Sequence, residues 1–103
     1  MIKRRLHKFN AVKTELDGIK FDSKKESAYY VDLKIRQKAG EIVFFLRQTP
    51  FHLPGGVTYR VDFTEFHADG TVHFIEVKGY DTPAQKSKRK IVEALYPVKF
   101  ELI

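Results

Sequence analysis

The sequence predicts an α/β domain in which a mixed sheet is flanked by helices, with the elements in the order α-β-β-β-α-β. Three observations carry this. Two stretches open with helix-capping signals, one at Ser23 and one at Thr82. Between them, three runs rich in β-branched and aromatic residues are separated by glycine-containing turns. After the second helix a short alternating run, Val98 to Leu102, supplies a last strand, so the closing strand-helix-strand unit should be a right-handed crossover with parallel strands.

Each element follows from its own residues. Asp17-Gly18 reads as a turn, so Val12 to Leu16 and Ile19 to Phe21 form a small hairpin or extended arm. With the basic residues before it, this gives a basic N-terminal arm or hairpin over 1–22 ahead of a core over 23–103, a single domain overall. Ser23 is the N-cap of the first helix and Glu26 stands at capping-box spacing. Ala28, Tyr29, Tyr30, Leu33 and Ile35 form the apolar side, with Gly40 at the end. Ile42 to Leu53 is a bent edge strand or two short strands, because Pro50 cannot donate to a ladder. Pro54-Gly55-Gly56 turns the chain. Val57 to Phe66 then alternates, with Tyr59, Val61 and Phe63 on one face and Arg60, Asp62 and Thr64 on the other. Thr71 to Gly79 is the third strand. Thr82, Pro83 and Gln85 open a second helix that Pro97 stops near Tyr96.

The 103 residues carry 19 Lys and Arg against 13 Asp and Glu, a formal +6 that is unevenly spread. Residues 1–25 hold +5 and residues 83–103 hold +3, whereas residues 40–82 hold −3. Basic ends around an acidic middle suit a protein that grips a polyanion and keeps carboxylates for a metal. The absence of cysteine excludes disulfides, thiolate zinc sites and cysteine nucleophiles. The longest apolar run, Ile42 to Leu46, is too short to cross a bilayer, and no signal-peptide core follows the basic start. No membrane role is expected. There is no phosphate-cradling Gly-rich loop for an ATP-driven activity, and His7, His52, His67 and His73 show no ligand spacing.

The hairpin after Val57–Phe66 can be registered from its turn. With Ala68-Asp69-Gly70 as a three-residue loop and Gly70 left-handed, His67 pairs with Thr71 and Asp62 falls opposite Glu76. Like charges placed so are destabilising. Lys78, two residues beyond Glu76, offsets them in part, and a divalent cation would do so better. The strand around Glu76 is otherwise apolar on both faces, as a central strand would be, so charges there are costly unless they are used.

Asp62, then Glu76-Val77-Lys78 across a hairpin, with the upstream helical Glu26 and this element order, resembles the PD-(D/E)XK nuclease superfamily, the restriction-endonuclease-like fold. The likeness is nearest to short phage-encoded members related to junction-resolving endonucleases. It runs through residues 17–26, Gln48, Tyr59-Arg60-Val61-Asp62-Phe63 and Glu76-Val77-Lys78-Gly79. Val61 stands where the name-giving proline would be. The resemblance implies Asp62 and Glu76 as metal ligands, Glu26 as a further acidic group at the metal, and Lys78 orienting or activating the attacking water. It implies Mg²⁺, with Mn²⁺ able to substitute, and hydrolysis of DNA phosphodiesters, structure-specific or weakly sequence-specific, on branched or junction substrates. Lys86, Lys88, Arg89 and Lys90 on the second helix, Lys3, Arg4, Arg5 and Lys8 at the N-terminus, and Gln48 are the expected DNA contacts. A domain this small offers little surface for substrate, which favours a homodimer, or a subunit of a larger recombination or packaging complex. The competing expectation is a non-catalytic nucleic-acid-binding accessory protein. The expected location is cytoplasmic, the host cytoplasm for a phage-encoded chain.

Overall fold

The computed structural model describes residues 14–77 and 81–103. Strands β1 (Thr14–Leu16) and β2 (Ile19–Phe21) form a hairpin around Asp17 and Gly18, both at positive φ, as a two-residue turn of this hand requires. Helix α1 (Lys24–Lys38) follows. Ser23 caps it by accepting from the Glu26 N–H at 3.1 Å, and Gly40 leaves it at φ 89°. Its sheet-facing stripe is Glu26, Tyr30 and Leu33, spaced four and three apart. Ala28 and Ile35, expected on the apolar side, are exposed instead.

Strand β3 (Ile42–Leu53) is continuous and lies at the sheet edge, where Pro50 is tolerated. A tight turn at Pro54–Gly56 leads into β4 (Val57–His67), and β4 pairs antiparallel with both β3 and β5 (Val72–Glu76). The β4–β5 register is the one read from the turn: Phe63 faces Ile75, Phe66 faces Val72, the His67 N–H donates to the Thr71 carbonyl at 2.9 Å, and Gly70 has φ 90°. Helix α2 (Pro83–Leu95) begins with the full capping box of Thr82 and Gln85 and crosses to β6 (Phe100–Leu102), which pairs parallel with β5. The described residues thus form a mixed four-stranded sheet in the order β3-β4-β5-β6, with helices against it and a small hairpin beside α1.

Two cores hold the layers together. Phe21, Tyr30, Leu33, Ile42, Phe63, Ile75 and Val77 pack beneath α1, so the β1–β2 hairpin is docked to the sheet through Phe21. Phe51, Leu53, Tyr59, Val61 and Val92 pack beneath α2, with Phe74 and Phe100 at their margin. Sandwiched in this way, β5 is the doubly covered strand that its apolar run predicts.

The regular alternation expected along β4 does not hold. Tyr59 and Val61 belong to the α2 core and Phe63 to the α1 core, although all three are odd-numbered. The change of face occurs at Asp62. Strand β3 changes face opposite it, at Gln48: Arg47 reaches the α1 residue Glu26, whereas Thr49 bonds Thr64 at 2.8 Å and Phe51 lies under α2. Gln48 has φ 53°, and the ladder passes from the Arg47–Phe63 pair to the Thr49–Val61 pair without joining 48 to 62. A non-glycine residue in the left-handed region costs about 1–2 kcal/mol. The two strands change face together, so odd-numbered apolar residues of β4 serve the α2 core before Asp62 and the α1 core after it.

Candidate functional site

The paired kink coincides with a fork in the sheet. Beyond the Phe63–Ile75 pair, β4 continues alongside β3 while β5 leaves it. Asp62 stands in the fork and its carboxylate replaces the missing ladder. Oδ2 accepts from the Val77 N–H at 2.9 Å, and Oδ1 accepts from Gln48 Nε2 at 3.3 Å. The side chain is therefore held from both neighbouring strands.

Glu26 comes to the same place from the first turn of α1. Ser23 caps the helix through the Glu26 backbone, but the Glu26 side chain does not close the box; it lies beneath the helix, 8 % exposed. Its Oε2 is 3.5 Å from Gln48 Nε2 and 3.7 Å from the Arg47 guanidinium, which itself stacks over the Phe21 ring. Burial raises the proton affinity of this carboxyl above the ordinary value, and the Asp62 charge raises it further. Arg47 opposes the rise, and Asp22 and Glu76 add to it.

The raised affinity makes stability depend on pH. A folded-state pKa above the unfolded one means that the native protein binds the extra proton, so stability falls as pH climbs from the ordinary carboxyl range through the raised value. Above the ordinary carboxyl range, holding Glu26 in this place is a cost to the fold. Glu26→Gln is expected to melt a few degrees above the wild type at pH 7 in EDTA, with the gap narrowing as the pH is lowered. Melting curves across pH check this, and a variant that melts below the wild type at pH 7 would contradict it.

Glu76 is 0 % exposed and comes from the end of β5. It neighbours Tyr59 of β4, whose phenol also faces Arg89 of α2. The Tyr59 phenol is pushed above its usual range, first by burial and then by the Glu76 carboxylate, with Arg89 pulling the other way. Arg89 is only 7 % exposed and forms an ion pair with Asp81. The Glu76 carboxylate also bears on Glu26, so the acidic group draws on α1, β4 and β5.

The expected site residues divide accordingly. Gln48 is in direct contact with both Glu26 and Asp62, and Asp62 and Glu76 are electrostatically coupled to Glu26. Lys86, Lys88 and Lys90 lie exposed on α2. Arg89, expected among them as a DNA contact, is instead turned into the protein against Asp81, because it shares the buried stripe of α2 with Val92 three residues on. Lys78 and the N-terminal Lys3, Arg4, Arg5 and Lys8 lie outside the described residues. Arg47, Tyr59 and Asp81 belong to the site's surroundings and were not singled out by sequence. Only the i, i+3 spacing of Arg89 and Val92 signalled any of this network.

Among the described residues, no three His, Asp or Glu side chains are grouped closely enough to form a ready-made metal cage. The donor chemistry nevertheless fits Mg²⁺. This ion takes oxygen ligands, needs only one or two carboxylates, and fills its remaining positions with water and substrate phosphate. Glu26, whose proton affinity is raised by burial and by the nearby Asp62 charge, is also a group that a divalent cation would relieve.

The family described as "Protein of unknown function (DUF1064)" matches residues 6–102. The chain belongs to that family. No curated protein and no solved structure matches it. The part matched to DUF1064 runs through β6, so it takes in every element that contributes to the fork: α1, β3, β4, β5 and α2. No helix among the described residues of this DUF1064 member is long and apolar enough to cross a membrane.

Proposed function

We propose that this protein is a Mg²⁺-dependent DNA endonuclease of the PD-(D/E)XK type, acting on branched or junction DNA or with weak sequence preference. The observation that carries the reading is the meeting of Glu26, Gln48 and Asp62 at the β4–β5 fork, with Glu76 at the end of the adjoining strand. Asp62, Glu76 and Glu26 would hold the ion. When bound, Mg²⁺ neutralises charge on the phosphoryl oxygens and lowers the pKa of water at that position. Asp62 is preset for its part, since the Val77 N–H holds its Oδ2 at 2.9 Å. Lys78, two residues beyond Glu76, orients the attacking water or takes up its proton. Water adds to phosphorus, and one phosphodiester P–O bond breaks.

Binding comes from charge outside the fork. Lys86 and Lys90, one turn apart on α2, offer neighbouring exposed charges for phosphates, Lys88 is exposed on another side of the helix, and Lys3, Arg4, Arg5 and Lys8 add to the grip. Replacing Lys86, Lys88 and Lys90 by alanine is expected to weaken DNA binding evenly across sequences. The slope of log K against log salt should shrink by about 0.9 for each phosphate that a lysine no longer neutralises. Binding titrations at several salt concentrations read this directly, and an unchanged slope would remove α2 from the DNA face.

The protein would act as a homodimer, two forks addressing two strands, or as the nuclease subunit of a larger recombination or packaging complex. Light scattering with and without DNA distinguishes the first arrangement. A second reading, a nucleic-acid-binding protein without catalysis, is favoured by one feature: Glu76 is fully buried beside Tyr59, as a structural carboxylate would be. Incubating linear, flapped and four-way DNAs with Mg²⁺ or Mn²⁺ separates the two. Cleavage of any of them that EDTA stops supports the nuclease. Tight binding with no product supports the binder.

A further inference from the structure

We propose that Gln48 is a positioning residue whose side-chain amide stands in for the cation when the fork is metal-free, and withdraws when the cation enters. This rests on the metal-dependent reading above and extends it to a residue outside the acidic set. Gln48 Nε2 is the group in contact with both Glu26, at 3.5 Å, and Asp62, at 3.3 Å. An amide N–H₂ presents two donors to two carboxylates, the minimum that quiets their repulsion without adding a charge.

The backbone beneath it is specialised for this reach. Gln48 sits in the middle of a twelve-residue strand at φ 53° and is left out of the ladder, directly across from Asp62. Its neighbour Arg47 turns to the α1 side, where it bears on Glu26. A regular strand would send residue 48 away from that side, opposite to Arg47. The left-handed kink instead brings the amide to the carboxylates. Glycine or asparagine would take this conformation more readily, but neither carries an amide long enough to span the two acids. The contacts are long as hydrogen bonds go, as suits a group that has to let go.

Competition between amide and cation makes the test specific. Mn²⁺ binding followed by electron paramagnetic resonance, together with metal-free melting, is read on the wild type, Gln48→Gly and Gln48→Lys. Glycine keeps the backbone conformation and removes the amide. Gln48→Gly should bind Mn²⁺ more tightly by roughly threefold to tenfold, the equivalent of the weak hydrogen bonds that no longer have to be broken. Gln48→Lys places a permanent cation between the acids. It should melt above the wild type in EDTA and lose at least about tenfold in Mn²⁺ affinity, as expected when a fixed charge occupies the ion's place. Unchanged or weaker Mn²⁺ binding by Gln48→Gly, with normal binding by the wild type, would overturn the role of Gln48 alone. Absence of Mn²⁺ binding by the wild type would overturn the metal site, and this role with it. If Gln48 is instead a DNA contact, the glycine variant loses affinity for DNA in EDTA and leaves Mn²⁺ binding untouched, which also overturns the proposal.

Discussion

Asp62→Asn is expected to fold, to bind DNA and to fail to cleave it. Asparagine is nearly the same shape, and its amide oxygen can still accept the Val77 N–H that Asp62 Oδ2 accepts at 2.9 Å, so the β4–β5 fork stays closed. The charge is what disappears. Without it the cation loses a ligand at the centre of the acidic group, and cleavage should fall by at least about 10²–10³-fold, the scale seen when one preorganised electrostatic stabiliser is removed. DNA affinity in EDTA should not fall, because removing a carboxylate beside a polyanion can only favour association. Relief of the repulsion on Glu26 should also bring its carboxyl back toward the ordinary range. Cleavage and binding measured on one preparation check the expectation, and cleavage at the wild-type rate would remove Asp62 from the chemistry.

The second large effect belongs to Arg89 and concerns stability. Arg89 is buried, pairs with Asp81 and bears on the Tyr59 phenol beside Glu76. Removing it takes the guanidinium away from the Asp81 carboxylate, the costly way to break a largely buried ion pair. Arg89→Ala should lose about 3 kcal/mol, the low end for such pairs, because the Asp81 side chain keeps 17 % exposure. For a domain of this size that is a fall in Tm of roughly 12–24 °C. It is also a large part of a total stability of about 5–15 kcal/mol. Arg89→Lys should recover only part of the loss, since a lysine cannot reproduce the planar donor fork. A thermal melt decides the matter. If Tm is unchanged and the salt dependence of DNA binding drops, Arg89 is a phosphate contact after all.

What the sequence revealed and what it hid have separate causes. The Asp69-Gly70 turn set the β4–β5 register because a left-handed glycine at the end of a three-residue loop leaves one pairing, and His67 opposite Thr71 follows. The helix starts were equally legible, since Ser23 and Thr82 announce themselves by their side-chain chemistry. The kink at Gln48 and Asp62 was not. Odd-numbered apolar residues run unbroken through Tyr59, Val61 and Phe63, so nothing in the pattern marks the change of face; it is a property of two strands bending together. The fate of Arg89 was hidden among lysines of the same charge, although its spacing to Val92 pointed inward. Gln48 stood out by type and by the family resemblance, but its contacts with Glu26 and Asp62 depend on a φ that few non-glycine residues adopt.

Metal-dependent hydrolysis at the fork is the proposal on which the cleavage expectations rest, and one measurement reaches it most directly. Supercoiled plasmid and a four-way DNA junction are incubated with the wild type and with Asp62→Asn, purified in parallel, over a Mg²⁺ titration from EDTA to millimolar concentration. The expected result is nicked or resolved DNA that appears with Mg²⁺, is absent in EDTA, and is absent from the Asp62→Asn lanes at every concentration. DNA left intact by the wild type throughout, or cleaved equally by both proteins, would contradict the account.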